Sequence, residues 1–308
     1  MAEAGVVILG VYVADLAFWA ERLPVMGETL LGGNFKIGPG GKGSNQAVAA
    51  RRAGGDVAFI SKVSDDEFGA MARAMYECEG IDQNHVYPSD VATGAAFIMV
   101  QEKTGENAII IYPGAAETLT NEEVEAASPV VAGARVFVTQ LELKMPQVEC
   151  GLALARKHGV STVLNPAPAM VLPDHIYPMV DNFTPNESEA AALAGCPVEN
   201  VAQAEQAAEI FIARGVGAVL VTLGGDGVLV KDEQGATHIP AFDMGTPVDT
   251  TGAGDAFNGG FAVGLAENMD VREAARFGCA VGALSVTRQG TAPSMPSRDE
   301  VEELLQKP

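Results

Sequence analysis

The residues best placed by type and spacing to do chemistry are Asp249-Thr250-Thr251-Gly252-Ala253-Gly254-Asp255. Gly252 and Gly254 carry no Cβ, so the backbone there can turn sharply and approach a ligand closely. The small-residue run Ala256 to Leu265 follows and reads as a helix. The first N–H groups of such a helix lack intrahelical acceptors, and with the helix dipole they form an anion site. Asp255 falls on the first turn, so a proton acceptor stands beside a hole suited to negative charge. That pairing fits phosphoryl transfer to an alcohol. It also fits an ordinary helix start after a glycine turn, and the stretch alone leaves both readings open.

A second glycine-rich segment, Gly38-Pro39-Gly40-Gly41-Lys42-Gly43-Ser44-Asn45, leads into a helix pattern over Gln46 to Ala53 that Gly54 closes. It is not a P-loop, because Gly43 stands after Lys42 where Ser or Thr is required. Nor does it follow a hydrophobic strand, as a dinucleotide fingerprint would. Lys42 and Asn45 suit hydrogen bonds to several hydroxyls of a polyol; the alternative is a plain turn.

Most of the remaining chain supplies strands and helices that would position these groups. Val6 to Leu9 reads as a strand buried on both faces, with Asp15 just beyond its carboxyl end. Val57 to Lys62, Val136 to Gln140, Val160 to Leu164, Asn182 to Thr184, Ala218 to Thr222 and Val228 to Lys231 read as further strands. Helical patterns cover Phe68 to Glu79, Pro146 to His158, Glu187 to Leu193, Val201 to Arg214 and Val271 to Val286. This alternation predicts a parallel α/β sheet covered on both faces. Thr93 to Gln101 and Asn107 to Tyr112 read as a hairpin. Segments 15–41 and 92–113 are therefore expected to form a small β lid, and 1–14, 42–91 and 114–308 the α/β domain. Ala275, Gly278, Gly282 and Ser285 give the last long helix a small-residue face, for tight packing or for a flat base. Glu142, Asn186, Glu189, the Thr222 to Gly227 segment, Asp249 and Asp255 all follow strands. They are expected on the one sheet edge where ligands collect.

With 308 residues, 48% hydrophobic, the chain can form one large α/β domain with an appendage. A formal net charge of −21 argues against a nucleic-acid or anionic-membrane partner. No apolar run is long enough to span a membrane, and no signal-peptide pattern opens the chain. The four cysteines are scattered without a C-x-x-C pair, as expected for reduced thiols of a cytoplasmic protein.

The chain resembles the ribokinase-like sugar kinases, the phosphofructokinase-B family. The resemblance rests on Gly40 to Asn45 and Asp249 to Asp255, with Asn165-Pro166-Ala167-Pro168-Ala169, Thr184 to Glu189 and Val286 to Ser294 in the same order. The last three segments resemble the ribokinase branch. The resemblance implies a three-layer α/β fold with a mostly parallel sheet and a β lid through which homodimers form. It also implies transfer of the ATP γ-phosphoryl to the 5-hydroxyl of a pentose, D-ribose first among them. By this resemblance Asp255 is the base, and the amides of Gly252, Ala253 and Gly254 form the anion hole. Asp15, Gly41, Lys42, Gly43, Asn45, Glu142 and Asp255 would contact sugar. Asn186, Thr222, Gly224, Gly225, Asp226, Gly227, Gly254 and Cys279 would lie along the nucleotide. Glu189 would act near Mg²⁺, and Asp249, Thr251, Ser285, Arg288, Gly290 and Ser294 would surround K⁺.

Two positions depart from that pattern. Val13 stands where ribokinases usually carry an Asn that contacts the sugar, and an apolar residue there also occurs in deoxyribokinases. A 2-deoxyribose substrate, or another sugar, is therefore an alternative. Cys279 stands where a His often lies near the adenine. A nucleoside kinase of the same family and a sugar-binding sensor without transfer are the remaining rivals.

Overall fold

Four consecutive apolar residues, Val6–Leu9 (β1), form the centre of the molecule, and each side chain is fully buried. Alternate residues of a strand face opposite sides of a sheet. Val6 and Ile8 accordingly pack into one hydrophobic core, and Val7 and Leu9 into another on the far face. Burial of each contributes on the order of 1.5–3 kcal/mol. The computed structural model describes residues 5–307; residues 1–4 and 308, at the outer ends of the expected α/β segments, lie outside the described residues.

The chain leaves β1 for Val13–Ala20 (β2) and Asn34–Gly40 (β3), and then enters the helix Lys42–Arg52 (α1). Val57–Ser64 (β4), Glu67–Glu79 (α2) and Asp82–Ser89 (β5) follow. The hairpin Thr93–Gln101 (β6) and Asn107–Gly114 (β7) comes next, then the short helices Asn121–Ala126 (α3) and Ser128–Ala132 (α4). Alternation resumes with Val136–Gln140 (β8), Met145–Lys157 (α5), Ser161–Asn165 (β9), Asn182–Phe183 (β10), Glu187–Ala194 (α6) and Val201–Ala213 (α7). The chain closes with Ala218–Thr222 (β11), Val228–Asp232 (β12), Gly235–Ile239 (β13), Ala253–Ala266 (α8), Val271–Ser285 (α9) and Arg298–Leu305 (α10).

The main sheet has nine strands among the described residues, in the order β13-β12-β11-β10-β9-β8-β1-β4-β5. Pairings from β5 through β11 are parallel. The expected strand Val228 to Lys231 pairs antiparallel with β11 and continues into β13, so that edge of the sheet is a meander. The chain works outward from β1 through β4 and β5, then returns to β8 on the other side. The carboxyl ends of β1 and β8 are thus a topological switch point, where α/β sheets open a crevice.

The second sheet has the order β3-β2-β6-β7, with β2 and β6 parallel and the other pairs antiparallel. Asp15, expected just beyond the first strand and at the start of the lid, lies inside β2 and belongs to this small sheet. Its pairing begins at Val13, opposite Gly40 on one side and Gly94 on the other.

Helix α1 starts four residues before the expected Gln46. Gly41 serves as its N-cap at φ 90°, a conformation other residues rarely adopt, so Lys42, Gly43 and Ser44 form the first turn. Gly43 packs against Gly10, where an added Cβ would stand 2.6 Å from the Gly10 Cα. The small-residue face of α9 meets α8 tightly: a Cβ on Gly260 would stand 2.6 Å from Val281 Cγ2, and one on Gly278 would stand 2.8 Å from the Phe257 carbonyl oxygen.

Candidate active site

Helices α1 and α8 converge at the switch point, and their polar residues meet there although they lie about 210 positions apart. Asn45 Nδ2 donates to Asp255 Oδ2 at 2.9 Å, and Gln46 Nε2 donates to Asp255 Oδ1 at 3.1 Å. Both carboxylate oxygens of the candidate base are therefore held by amide donors one helix turn from Lys42. Asp255 is only 7% exposed. Burial pushes its carboxyl above the ordinary value, while Lys42, Asn45 and Gln46 act in the opposite direction.

The surroundings are unusually rich in carboxylates. Glu142, beyond β8, accepts the Lys42 backbone amide at 2.8 Å. Burial pushes Glu142 up to about 7 despite that bond and the Lys42 charge. Burial and the neighbouring Asp255 push Asp15 up to about 6. For Lys42, burial would lower the ammonium, but Asp255, Glu142 and Glu189 together outweigh it and the group is raised. It is the one cation among these acids, placed to meet an anionic ligand.

A cavity of about 170 Å³ opens above α8 and is lined by Lys42, Asn165, Ala167, Thr184, Asn186, Glu189, Thr222, Thr250, Gly252, Ala253, Gly254, Asp255 and Asn258. Gly252, the N-cap of α8 at φ 80°, offers no capping side chain. The amides of Gly252, Gly254 and Asp255 have no acceptor among the described residues. That of Ala253, expected to be free, turns instead to the Thr250 carbonyl at 3.2 Å. On the opposite wall Asn186 Oδ1 accepts the Glu189 amide at 2.8 Å, and Glu189 Oε2 accepts the Asn186 amide at 2.9 Å, forming a capping box. Thr222 lies beside them through a parallel bridge to Asn186.

The other expected nucleotide residues lie off this cavity. Gly224, Gly225 and Asp226 form an exposed turn between β11 and β12. Gly227 at φ 94° closes that turn so tightly that a Cβ would stand 2.1 Å from the Ile239 carbonyl oxygen. Cys279 is buried in the core beside α8, its thiol pushed up to about 12 by that burial.

A third cluster sits behind the start of α8. Asp249 Oδ1 accepts the Thr251 amide and Oδ2 the Gly290 amide, both at 2.9 Å. Burial would raise Asp249, but these amides, the Thr251 hydroxyl and the nearby Lys36 hold it low. The carbonyl oxygens of Thr251, Arg288 and Gly290 accept no hydrogen bond from the described residues. Unclaimed carbonyls beside an ionised carboxylate are a donor set that fits a hard monovalent cation. Ser285 Oγ donates to Gly282 O and Ser294 Oγ to Thr291 O, both at 2.8 Å, so neither hydroxyl proton is free. The Arg288 guanidinium pairs with Glu300.

The sequence of the chain matches the pfkB family carbohydrate kinases over residues 3–298. The chain belongs to the pfkB family of carbohydrate kinases. The chemistry is thus phosphoryl transfer to a sugar hydroxyl. A ribokinase of Haemophilus influenzae is 41% identical over 300 residues, covering 97% of both chains. A deoxyribokinase of Salmonella typhi is 36% identical, covering 97% of this chain and 98% of its own. Among solved structures, Arabidopsis thaliana ribokinase complexed with ribose and ATP superposes with a TM-score of 0.91 at 30% identity, covering 99% of both chains.

Several further polar residues surround Asp255. Gln46, Gln140, Asn165, Thr184 and Asn258 form a buried chain of hydrogen bonds around Asp255. The available signal was on α1, where Lys42, Asn45 and Gln46 stand at i, i+3 and i+4 and so share one face. Placing the helix start at Gln46 concealed it.

Proposed function

We propose that the protein is an ATP-dependent kinase that transfers the γ-phosphoryl group to the 5-hydroxyl of a pentose, D-ribose. The observation that carries this reading is Asp255, a buried carboxylate held through both oxygens beside the open N-terminus of α8. An alcohol becomes a good nucleophile only as its proton leaves, and Asp255 is the acceptor for that proton. The oxygen then attacks phosphorus, and the bond to the ADP oxygen breaks. Charge on the transferring group is met by the amides of Gly252 and Gly254, with the Asp255 amide beside them, and by Lys42. Asp15, Asn45 and Glu142 orient the sugar. Asn45 Oδ1 is buried without a hydrogen-bond partner, an acceptor that a sugar hydroxyl would satisfy.

Among the described residues no group of three or more His, Cys, Asp or Glu side chains forms a metal cage. That fits Mg²⁺, which is usually held by phosphate oxygens, water and one or two carboxylates. Glu189 is the carboxylate available for this, and the ion would neutralise charge between the phosphates. Asp249 with the carbonyls of Thr251, Arg288 and Gly290 would hold K⁺, whereas the Ser285 carbonyl, expected among them, accepts the Arg288 amide at 3.3 Å. The exposed apolar side chains Phe18, Phe35, Ile37, Ile110 and Tyr112 share one face of the lid and support a homodimer formed through it. No helix among the described residues is long and apolar enough to cross a membrane.

Val13 favours a second reading, 2-deoxyribose as substrate. It is buried at the junction of β2, β6 and the start of α1, against Gly94 and Gly41. Its side chain can neither donate nor accept, so a buried 2-hydroxyl there would lose a partner. A panel of pentoses, hexoses and nucleosides with ATP, Mg²⁺ and K⁺ tests both readings. The highest kcat/KM is expected for ribose; a preference for 2-deoxyribose would install the second reading, and no turnover with any pentose would overturn both.

A further inference from the structure

Gln46 is fully buried, and its amide makes bonds in three directions. Nε2 donates to Asp255 Oδ1 at 3.1 Å and to Asn165 Oδ1 at 3.2 Å, while Oε1 accepts from Gln140 Nε2 at 2.6 Å. The direction of this chain is dictated by its end. An ionised carboxylate can only accept, so the NH₂ of Gln46 must face Asp255. Its oxygen must then face Gln140, which must in turn present its own NH₂. The consequence appears at the far end: Gln140 Oε1 is buried with no donor, in the space beside Gly10 where a Cβ would stand 2.4 Å from it. A buried orphan acceptor destabilises a fold. Turning Gln140 over would not relieve the pair, because it would set two amide oxygens against each other.

We propose that Gln46, oriented by Gln140, is the positioning residue of the base, fixing the direction of the Asp255 carboxylate and favouring its ionised form. The proposal rests on Asp255 being the base. Gln46 and Asn45 take one lone pair on each oxygen, and the remaining lone pairs are left to receive the hydroxyl proton. The charged groups around Asp255 are Lys42 on α1, Asp15 on β2, Glu142 beyond β8 and Glu189 on α6. Three of these are acids, and among side chains only Lys42 and the two amides support the carboxylate, beside the N-terminus of α8. Donation to the charged form favours that form.

The test compares Gln46→Leu and Gln140→Leu with the wild type, measuring kcat against pH with ribose and ATP. In Gln46→Leu the acid limb is expected to move to higher pH by about one unit. Activity near neutrality falls and recovers in part on the alkaline side, with little change in KM for the sugar. Gln140→Leu is expected to move the limb the same way by less, and it carries the test if Gln46→Leu does not fold. An acid limb unmoved in the folded variants overturns the proposal, even if kcat falls. The wild type separates this result from failure of the functional reading, since its inactivity on every pentose would refute that reading alone. A ¹³C NMR titration of the Asp255 carboxyl in unliganded protein then decides the proposal: a higher titration point in Gln46→Leu supports it, and an unchanged one overturns it.

Discussion

Helices α6 and α8 point their N-termini at one cavity and are finished in opposite ways. At α6, Asn186 and Glu189 satisfy each other's backbone amides, so the helix end is closed by its own side chains. At α8 the N-cap is Gly252, without a side chain, and three amides remain open. The α6 sequence, Asn-x-x-Glu, is a capping box in the making. The α8 sequence substitutes glycines and an acid that faces the cavity. One helix end has its amides closed by its own side chains, with Glu189 still lining the cavity; the other leaves its amides open to it.

That contrast can be broken most severely at Asp255. Asp255→Asn is expected to lower kcat by about 10²–10⁴-fold, the range for loss of a general base. Near-normal turnover in a coupled ADP-release assay would remove Asp255 from the chemistry. Gly254→Ala sharpens the contrast. No atom lies within 4 Å of the added Cβ, so the fold has room for it. Ala is also favoured over Gly inside a helix by up to about 1 kcal/mol, so Tm should hold or rise. The methyl group would stand in the cavity, and kcat/KM for ATP should fall about 10- to 100-fold. The Asp249 cluster adjoins the start of α8. Turnover is accordingly expected to be faster in K⁺ than in Na⁺ or Li⁺ at matched ionic strength, and equal rates would refute that site. Asn186→Ala should reverse the pattern seen at Gly254, costing about 1 kcal/mol of stability through loss of the cap, read as a lower denaturation midpoint.

The smallest effect concerns pH. The carboxyl of Asp15 is raised in the folded state to about 6, so its contribution to stability is greatest while it is protonated and is lost as pH rises through that value. The Tm of Asp15→Asn minus that of the wild type should grow from acid pH to about 6 and level off above it. A difference independent of pH would contradict the burial of that acid.

The main sheet was legible because its strands are apolar runs bounded by turns. Val136–Gln140 and Ala218–Thr222 have the expected limits. Strands β5 and β13 escaped notice because they are half-exposed edge strands with polar residues and no apolar run. The two glycine-rich segments were also legible, and the resemblance already set Lys42, Asn45 and Asp255 around one sugar; the contact of Gln46 with Asp255 was not, because no local pattern joins residues 209 positions apart. The start of α1 was displaced for a physical reason. Gly43 and Ser44 are weaker helix formers and Gly41 is a positive-φ cap, so propensity places the boundary too late. That displacement hid the face on which Gln46 works.

The shared face of α1 constrains how the enzyme can diversify. Lys42, Asn45 and Gln46 occupy one turn of one helix, and in the proposed mechanism a tilt of that helix would misplace the phosphate charge, the sugar contact and the support of the base together. Mutational drift here is therefore penalised three times over. If Val13 and Asp15 on the neighbouring small sheet contact the sugar as proposed, they are the positions at which a descendant of this protein could adopt a new one while the catalytic turn stays as it is.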